Sequence, residues 1–332
     1  MTSTFLASAS VDSASLASTS LASASSASPS LAGGAHVAGP DGTGHDGTGH
    51  TGAALVEQVA GATGADPGDR LLHARGAWAV GGFTPSARAA ELSTAALFIE
   101  PATAATARFS STLGGPGGHD GDPGDHGLAV RIGGLDLVMF TLPVFFVRTG
   151  AHMVEFLRAT NSPDPDAVPA FLARRPEAAT ALGLAQQSRP AAGFTALAYH
   201  SVHAFGLTDA AGTVRWARLS WRPLRPVDPL SPEDASARPG DYLSRGLPGE
   251  LPARFDLVAH LPGDGDEVHD PTRLWASDRT VPLGTLTLDR AGTPSVEPDF
   301  DPLRLPEGVA APRDRLAADR SRVYRAARAR RA

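Results

Sequence analysis

The chain has 332 residues, a formal net charge of −6, 42% hydrophobic residues and no cysteine. The missing thiols exclude disulfides, thiolate metal sites and cysteine nucleophiles, and the mild acidity gives no reason to expect nucleic acid as a partner. No apolar run approaches the ~20 residues of a membrane span, and Met1 to Val11 lacks the regions of a secretory signal, so no membrane partner and a cytoplasmic location are expected.

Residues 1–50 predict a disordered tail. Ser/Ala/Thr alternation gives way to a tandem repeat, Asp41-Gly-Thr-Gly-His45 and Asp46-Gly-Thr-Gly-His50. Such a composition cannot bury enough surface to offset the entropy of ordering it. His45 and His50 fit either weak metal binding or the incidental histidines of a flexible tail. Residues 51–332 are expected to form one domain.

Order begins near Ala53-Ala-Leu-Val56, whose apolar positions continue at helical spacing through Val59. From Leu71 the pattern turns to strand, and His73 to Val80 closes at a Gly81-Gly82 breaker before Phe83. The clearest hairpin joins Leu128–Ile132 to Leu135–Phe140 through Gly133-Gly134, a turn that needs positive φ. A second joins His203–Leu207 to Val214–Trp221 through Asp209–Gly212. Further strands are predicted over Phe255–His260 and Val281–Asp289. Met153, Val154, Phe156 and Leu157 form one helical face; Val168, Phe171 and Leu172 begin another. The result is an α+β reading, with an antiparallel, barrel-closed sheet and helices around it.

Four segments can carry chemistry. On a C-terminal helix over Asp314–Arg331, the residues Arg320, Tyr324, Arg328 and Arg331 fall on one face. Positive charge beside a tyrosine favours its phenolate, a hard oxygen ligand for ferric iron; a solvated basic tail fits the same pattern. In Arg70-Leu-Leu-His-Ala-Arg-Gly76, strand alternation puts Leu71 and His73 on one face and Arg70 and Leu72 on the other. A histidine so placed can do general acid–base work or be a hydrogen-bonded core residue. In Arg108-Phe-Ser-Ser111, a buried arginine can pair with a carboxylate ligand, and Ser110 can orient a histidine ring. Phe140-Thr-Leu-Pro-Val-Phe-Phe146 can line an apolar cofactor pocket or simply pack in the core.

In this order the segments resemble the haem catalases. The family's Arg-Val-Val-His-Ala-Lys-Gly is similar to Arg70–Gly76, its Arg-Phe-Ser-Thr to Arg108–Ser111, and its Asp-Leu-Val-Gly-Asn-Asn-Thr-Pro-Ile-Phe-Phe to Asp136–Phe146. Its Tyr-Gly-Ser-His-Thr-Phe resembles Tyr199–Phe205, and its Asp-Pro-Thr-Lys-Val-Trp resembles Asp270–Trp275. The stretch Val281–Arg290 follows its Pro-Val-Gly-Lys-Leu-Val-Leu-Asn-Arg, and the proximal Arg-x-x-x-Tyr falls on Arg320–Tyr324.

The resemblance implies a catalase-like closed barrel that binds haem b. His73 would stand above the iron as acid/base and Tyr324 would ligate it from below. Arg70, Arg108 and Arg331 would hold the propionates, Ser110 would orient the histidine, and Phe145 and Met153 would flank the ring. His203, Arg320 and Arg328 would complete the cofactor's surroundings.

Three departures stand out. Phe140 replaces the distal asparagine, which should impair use of a second hydrogen peroxide as reductant. Arg328 replaces a proximal histidine, and the long C-terminal helical region has no counterpart. The chain therefore resembles the catalase-related peroxidases, and the expected function is reduction of hydrogen peroxide or organic hydroperoxides with a small-molecule electron donor. A hydroperoxide isomerase or dehydratase, or a haem carrier or sensor, fits the same fold. A homo-oligomer is left open.

Overall fold

The computed structural model describes residues 51–331, apart from 67, 112–117 and 123. The expected tail, with its repeat and with His45 and His50, lies outside the described residues. Helix α1 (Gly52–Thr63) starts where Thr51 accepts a hydrogen bond from the Ala54 amide and ends on Gly64 at φ 69°. Its capping hydroxyl and left-handed glycine are the usual start and stop chemistry of a helix.

Strand β1 (Gly76–Pro85) departs from the sequence reading at both ends. His73 precedes it, with φ at 55°, outside the β region. The strand cannot begin earlier, because Arg108 Nη2 donates to the carbonyls of His73 (3.1 Å) and Ala74 (3.0 Å), which a ladder would need. The expected alternation of Leu71 and His73 against Arg70 and Leu72 is therefore lost. The Gly81-Gly82 pair does not break the strand either. A Cβ on Gly81 would lie 1.9 Å from the Thr287 carbonyl oxygen, and the register slips between Val80 and Gly81. These glycines mark a bulge where a neighbouring backbone comes close.

The chain continues through α2 (Ala89–Leu92), β2 (Thr103–Ser111), β3 (His126–Ile132) and β4 (Leu135–Phe140). The predicted turn between β3 and β4 is present, with Gly133 at φ 53°. Next come α3 (Gly150–Thr160), α4 (Ala167–Arg174), α5 (Ala178–Gln186), β5 (Tyr199–Thr208) and β6 (Val214–Pro223). The Asp209 carboxylate organises the β5–β6 turn by accepting from the amides of Ala211 and Thr213, both at 2.9 Å. Then follow α6 (Pro232–Ser236), α7 (Tyr242–Glu250), β7 (Ala253–His260), β8 (Thr280–Ala291), β9 (Val309–Ala310) and α8 (Arg315–Arg331).

The strands pair antiparallel in the order β4-β3-β2-β1-β8-β7-β6-β5, and Phe140 opposite His200 joins β4 back to β5. Closure removes the free edges an open sheet would leave; β9 adds to β5 at Gly206 and Leu207. Phe83, Phe109, Tyr199, Trp221 and Phe255 fill the principal core, with Leu128 and Leu286. The Tyr199 hydroxyl donates to the Phe194 carbonyl at 2.8 Å, so its burial leaves no orphan. A second apolar cluster joins Leu55, Val59, Val154, Phe156, Phe171, Leu182 and Ala327. It holds α1, α3, α4 and α5 against α8, at about 1.5–3 kcal/mol for each large side chain buried. Between this helical layer and the wall made by β2, β3 and β4 lies a cavity.

Candidate active site

The cavity encloses about 1400 Å³ of empty space, counting the open solvent at its mouth. Val138, Phe140, Phe145, Phe146, Met153 and Phe300 supply an apolar lining. His73 and Tyr324, far apart in sequence, both line it, as do Arg70, Arg108, Ser110, Arg320 and Arg331.

On the barrel side, the His73 ring is held from three directions. Ser110 Oγ lies 3.0 Å from Nδ1, and Phe140 packs with its ring centroid 5.5 Å away. Beneath it is Gly127, where a Cβ would come within 2.9 Å of His73 Cε1 and Nδ1. Glycine is required there by close approach. Assigning the Ser110 hydroxyl proton to the Gly127 carbonyl, 3.5 Å away, makes Nδ1 the donor and leaves the lone pair on Nε2. Burial pushes the imidazole down to about 3, helped by Arg108, His126 and Arg320. The ring is therefore neutral at neutral pH and able to accept a proton.

On the helical side, the partners form a chain. The Asp314 carboxylate faces His203 Nδ1 at 2.9 Å, and Arg320 Nη1 lies 2.7 Å from His203 Nε2. A guanidinium can only donate, so Nε2 accepts and Nδ1–H donates to Asp314. The Arg320 guanidinium is thereby fixed 5.8 Å from the Tyr324 ring centroid, one helical turn away on α8. It also lies 4.8 Å from the centroid of Phe140.

At the rim, Arg70, Arg108 and Arg331 crowd one another. Burial, then Arg70 and Arg331, push the Arg108 guanidinium down to about 10, against the pull of Glu297. Arg331 is lowered by burial and by Arg70 in the same way. Repelling cations at the edge of an apolar slot suit a flat molecule that brings carboxylates of its own.

Of the four residues grouped by spacing on α8, Arg320, Tyr324 and Arg331 line the cavity. Arg328 does not line the cavity and instead pairs with Asp299 at 3.0 Å. His203 stands behind Arg320 and does not line the cavity itself. Sequence reasoning missed Asp314, Gly127 and Asp125. Asp314 was legible as a helix cap, since its Oδ1 accepts from the Ala317 amide at 2.9 Å. Nothing local marked its second role.

A family model described as Catalase matches residues 51–247. The catalase-related peroxidase of Mycolicibacterium paratuberculosis (strain ATCC BAA-968 / K-10) is 30% identical over 286 residues, covering 82% of this chain and 91% of that protein. The chain belongs to the catalase family. The catalase-related peroxidase of Synechococcus elongatus is 28% identical, over 81% of this chain and 85% of that one. Among solved structures, a bacterial catalase superposes with a TM-score of 0.68 at 22% identity, over 83% of this chain and 60% of that one. Catalase A from Saccharomyces cerevisiae gives 0.69 at 19% identity, over 84% and 64%. The barrel and its helices are thus those of a catalase, and the chain is an oxidoreductase of a family that acts on peroxide. Within this catalase fold, Phe140 occupies the corner next to His73. Among the described residues, no helix is long and apolar enough to cross a membrane.

Proposed function

We propose that the chain is a haem-dependent peroxidase that reduces hydrogen peroxide or organic hydroperoxides at the expense of an external electron donor. The observation that carries this reading is one apolar slot with a neutral, oriented histidine in one wall, a tyrosine beside a fixed arginine in the other, and three crowded arginines at its rim. That donor set fits haem b. Arg70, Arg108 and Arg331 would hold its propionates, Phe145 and Met153 would pack on the ring, and Tyr324 would offer an oxygen ligand to the iron. When bound, haem supplies a ferric centre at which the peroxide O–O bond is cleaved.

The remaining chemistry belongs to the chain. His73, neutral at neutral pH, takes the proton from one peroxide oxygen and returns it to the departing one. Ser110 and Gly127 hold the ring for this task. The apolar lining lowers the local dielectric, which strengthens the charge interactions around His73. Phe140 offers no hydrogen bond to a second peroxide molecule, which favours an external donor over disproportionation.

The test is direct. Purified protein loaded with haemin should show a Soret band and consume peroxide faster with an added phenolic donor than without it. No Soret band after loading would sink the reading. Conversion of a fatty-acid hydroperoxide without any donor would replace it with isomerase or dehydratase chemistry. Turnover no faster than free haemin would leave a carrier or sensor.

A further inference from the structure

The proposed reaction consumes protons that His73 cannot supply. In ROOH + 2 e⁻ + 2 H⁺ → ROH + H₂O, the O–O bond breaks, the donor loses two electrons, and two protons from outside the substrate finish on the two products. Passing the peroxide's own proton from one oxygen to the other contributes neither of these. His73, pushed down to about 3, carries no spare proton at neutral pH. Whether they leave the donor as it is oxidised or come from solvent, a group in the cavity has to relay them to the two oxygens.

Building on the peroxidase reading, we propose that Asp125 is the proton-supplying residue of this cavity. It lines the cavity wall just before β3, and the residue two along is Gly127, which packs against the His73 ring. The Asp125 carboxyl and the His73 ring thus belong to the lining of one cavity. The carboxyl is anchored at one oxygen, Oδ1, which accepts from the Thr141 amide at 3.2 Å and the Thr141 hydroxyl at 3.0 Å. Thr141 directly follows Phe140, so the carboxyl flanks the corner where the family pattern places an asparagine.

Its surroundings suit the task. Burial pushes the carboxyl up to about 7, overcoming the hydrogen bonds from Thr141 and Leu142 and the charge of Arg320 on α8. The other titratable groups around it are Tyr199 on β5, whose phenol is raised by burial and in part by Asp125, and the neutral rings of His126 and His73. None of these holds a transferable proton at neutral pH, whereas a group titrating near 7 both gives one up and reloads from water. Asp125 acts through His73 or through cavity water, so its signature is a pH profile.

The experiment uses the full chain loaded with haemin, as wild type and Asp125→Asn, with a phenolic donor over a range of about pH 5–9. Wild-type turnover should decline as pH rises through about 7. Asp125→Asn should be at least about tenfold slower on the acid side, the lower end of what acid–base groups contribute, and should lack that decline. Infrared difference spectra should show a protonated-carboxyl band in the wild type that disappears over the same range and is missing from Asp125→Asn. An active wild type whose pH profile Asp125→Asn reproduces, or whose spectra lack that band, overturns the assignment. A wild type that binds haemin but turns over no peroxide sinks the peroxidase reading, and this proposal with it.

Discussion

His73 shows how much of a functional residue's character comes from its neighbours. Its left-handed backbone is held by Arg108, its ring by Ser110 and Gly127, and its neutrality by burial. Replacing it with Gln keeps a side chain of similar reach without the basic nitrogen. His73→Gln should therefore retain haem, read as an intact Soret band, and lose about 10²–10⁴-fold in peroxide turnover. Retained turnover would remove the acid–base role. Phe140 is the second residue whose identity matters. Its ring touches both His73 and the Arg320 guanidinium, so a flat ligand entering between the two walls has to move it. Phe140→Asn should speed haem uptake and, by adding one hydrogen-bond donor, raise oxygen release from hydrogen peroxide on the order of tenfold. An oxygen electrode and stopped-flow haemin binding check the two halves separately.

Among the elements, β3 and α8 divide the work. Strand β3 must pass close beneath His73, and Gly127 is the point of closest approach. Gly127→Ala would force the histidine ring or the Ser110 hydroxyl aside while leaving the β2–β3 ladder in place. We expect about a hundredfold loss of kcat, typical of catalytic groups displaced by ~1 Å, with the barrel still folded by circular dichroism. A variant with wild-type kcat would show that the ring position is not critical. Helix α8 carries Arg320 and Tyr324 on the face that its spacing predicts, but the same face turns Arg328 away toward Asp299. The stripe runs over about three turns and not all of it meets the cavity, so helical phase selects candidates and the cavity wall chooses among them.

For the whole molecule, pH should act on stability from both sides. Burial lowers His126 and His200 to about 4 and His73 to about 3. These rings are neutral in the fold but protonate in the unfolded chain below about 6.5, so their contribution is complete above that pH and is lost as pH falls through the folded values. At ~1.4 kcal/mol per pKa unit, His126 and His200 account for on the order of 3 kcal/mol each. Asp125 works in the opposite sense. Its folded value is raised to about 7, so its contribution is complete below the unfolded value near 4 and is lost as pH rises through about 7. Thermal melts of the haem-free chain should show Tm falling steeply between about pH 6 and 4. Asp125→Asn should raise Tm at about pH 8 relative to wild type, by removing the buried charge. An unchanged Tm at that pH would mean the carboxylate is better solvated than its burial implies.

Hairpins, helices with a clear apolar face and the ordered motifs that mark the catalase family are all legible in the amino-acid sequence. These signals are local. Gly133-Gly134 permits one turn geometry, Asp209 bonds its own backbone, and the spacing of Arg320 and Tyr324 follows from helical pitch. The tertiary fold sets where β1 begins, because the obstacle is Arg108 on another strand. It turned Gly81-Gly82 from a breaker into a bulge, because the backbone that needs the space belongs to β8. It also separated Arg331, which lines the cavity, from Arg328, which does not, and set Asp125 and His73 into the lining of one cavity. In each case the deciding contact joins residues distant in the chain, and short-range pattern carries no record of such contacts.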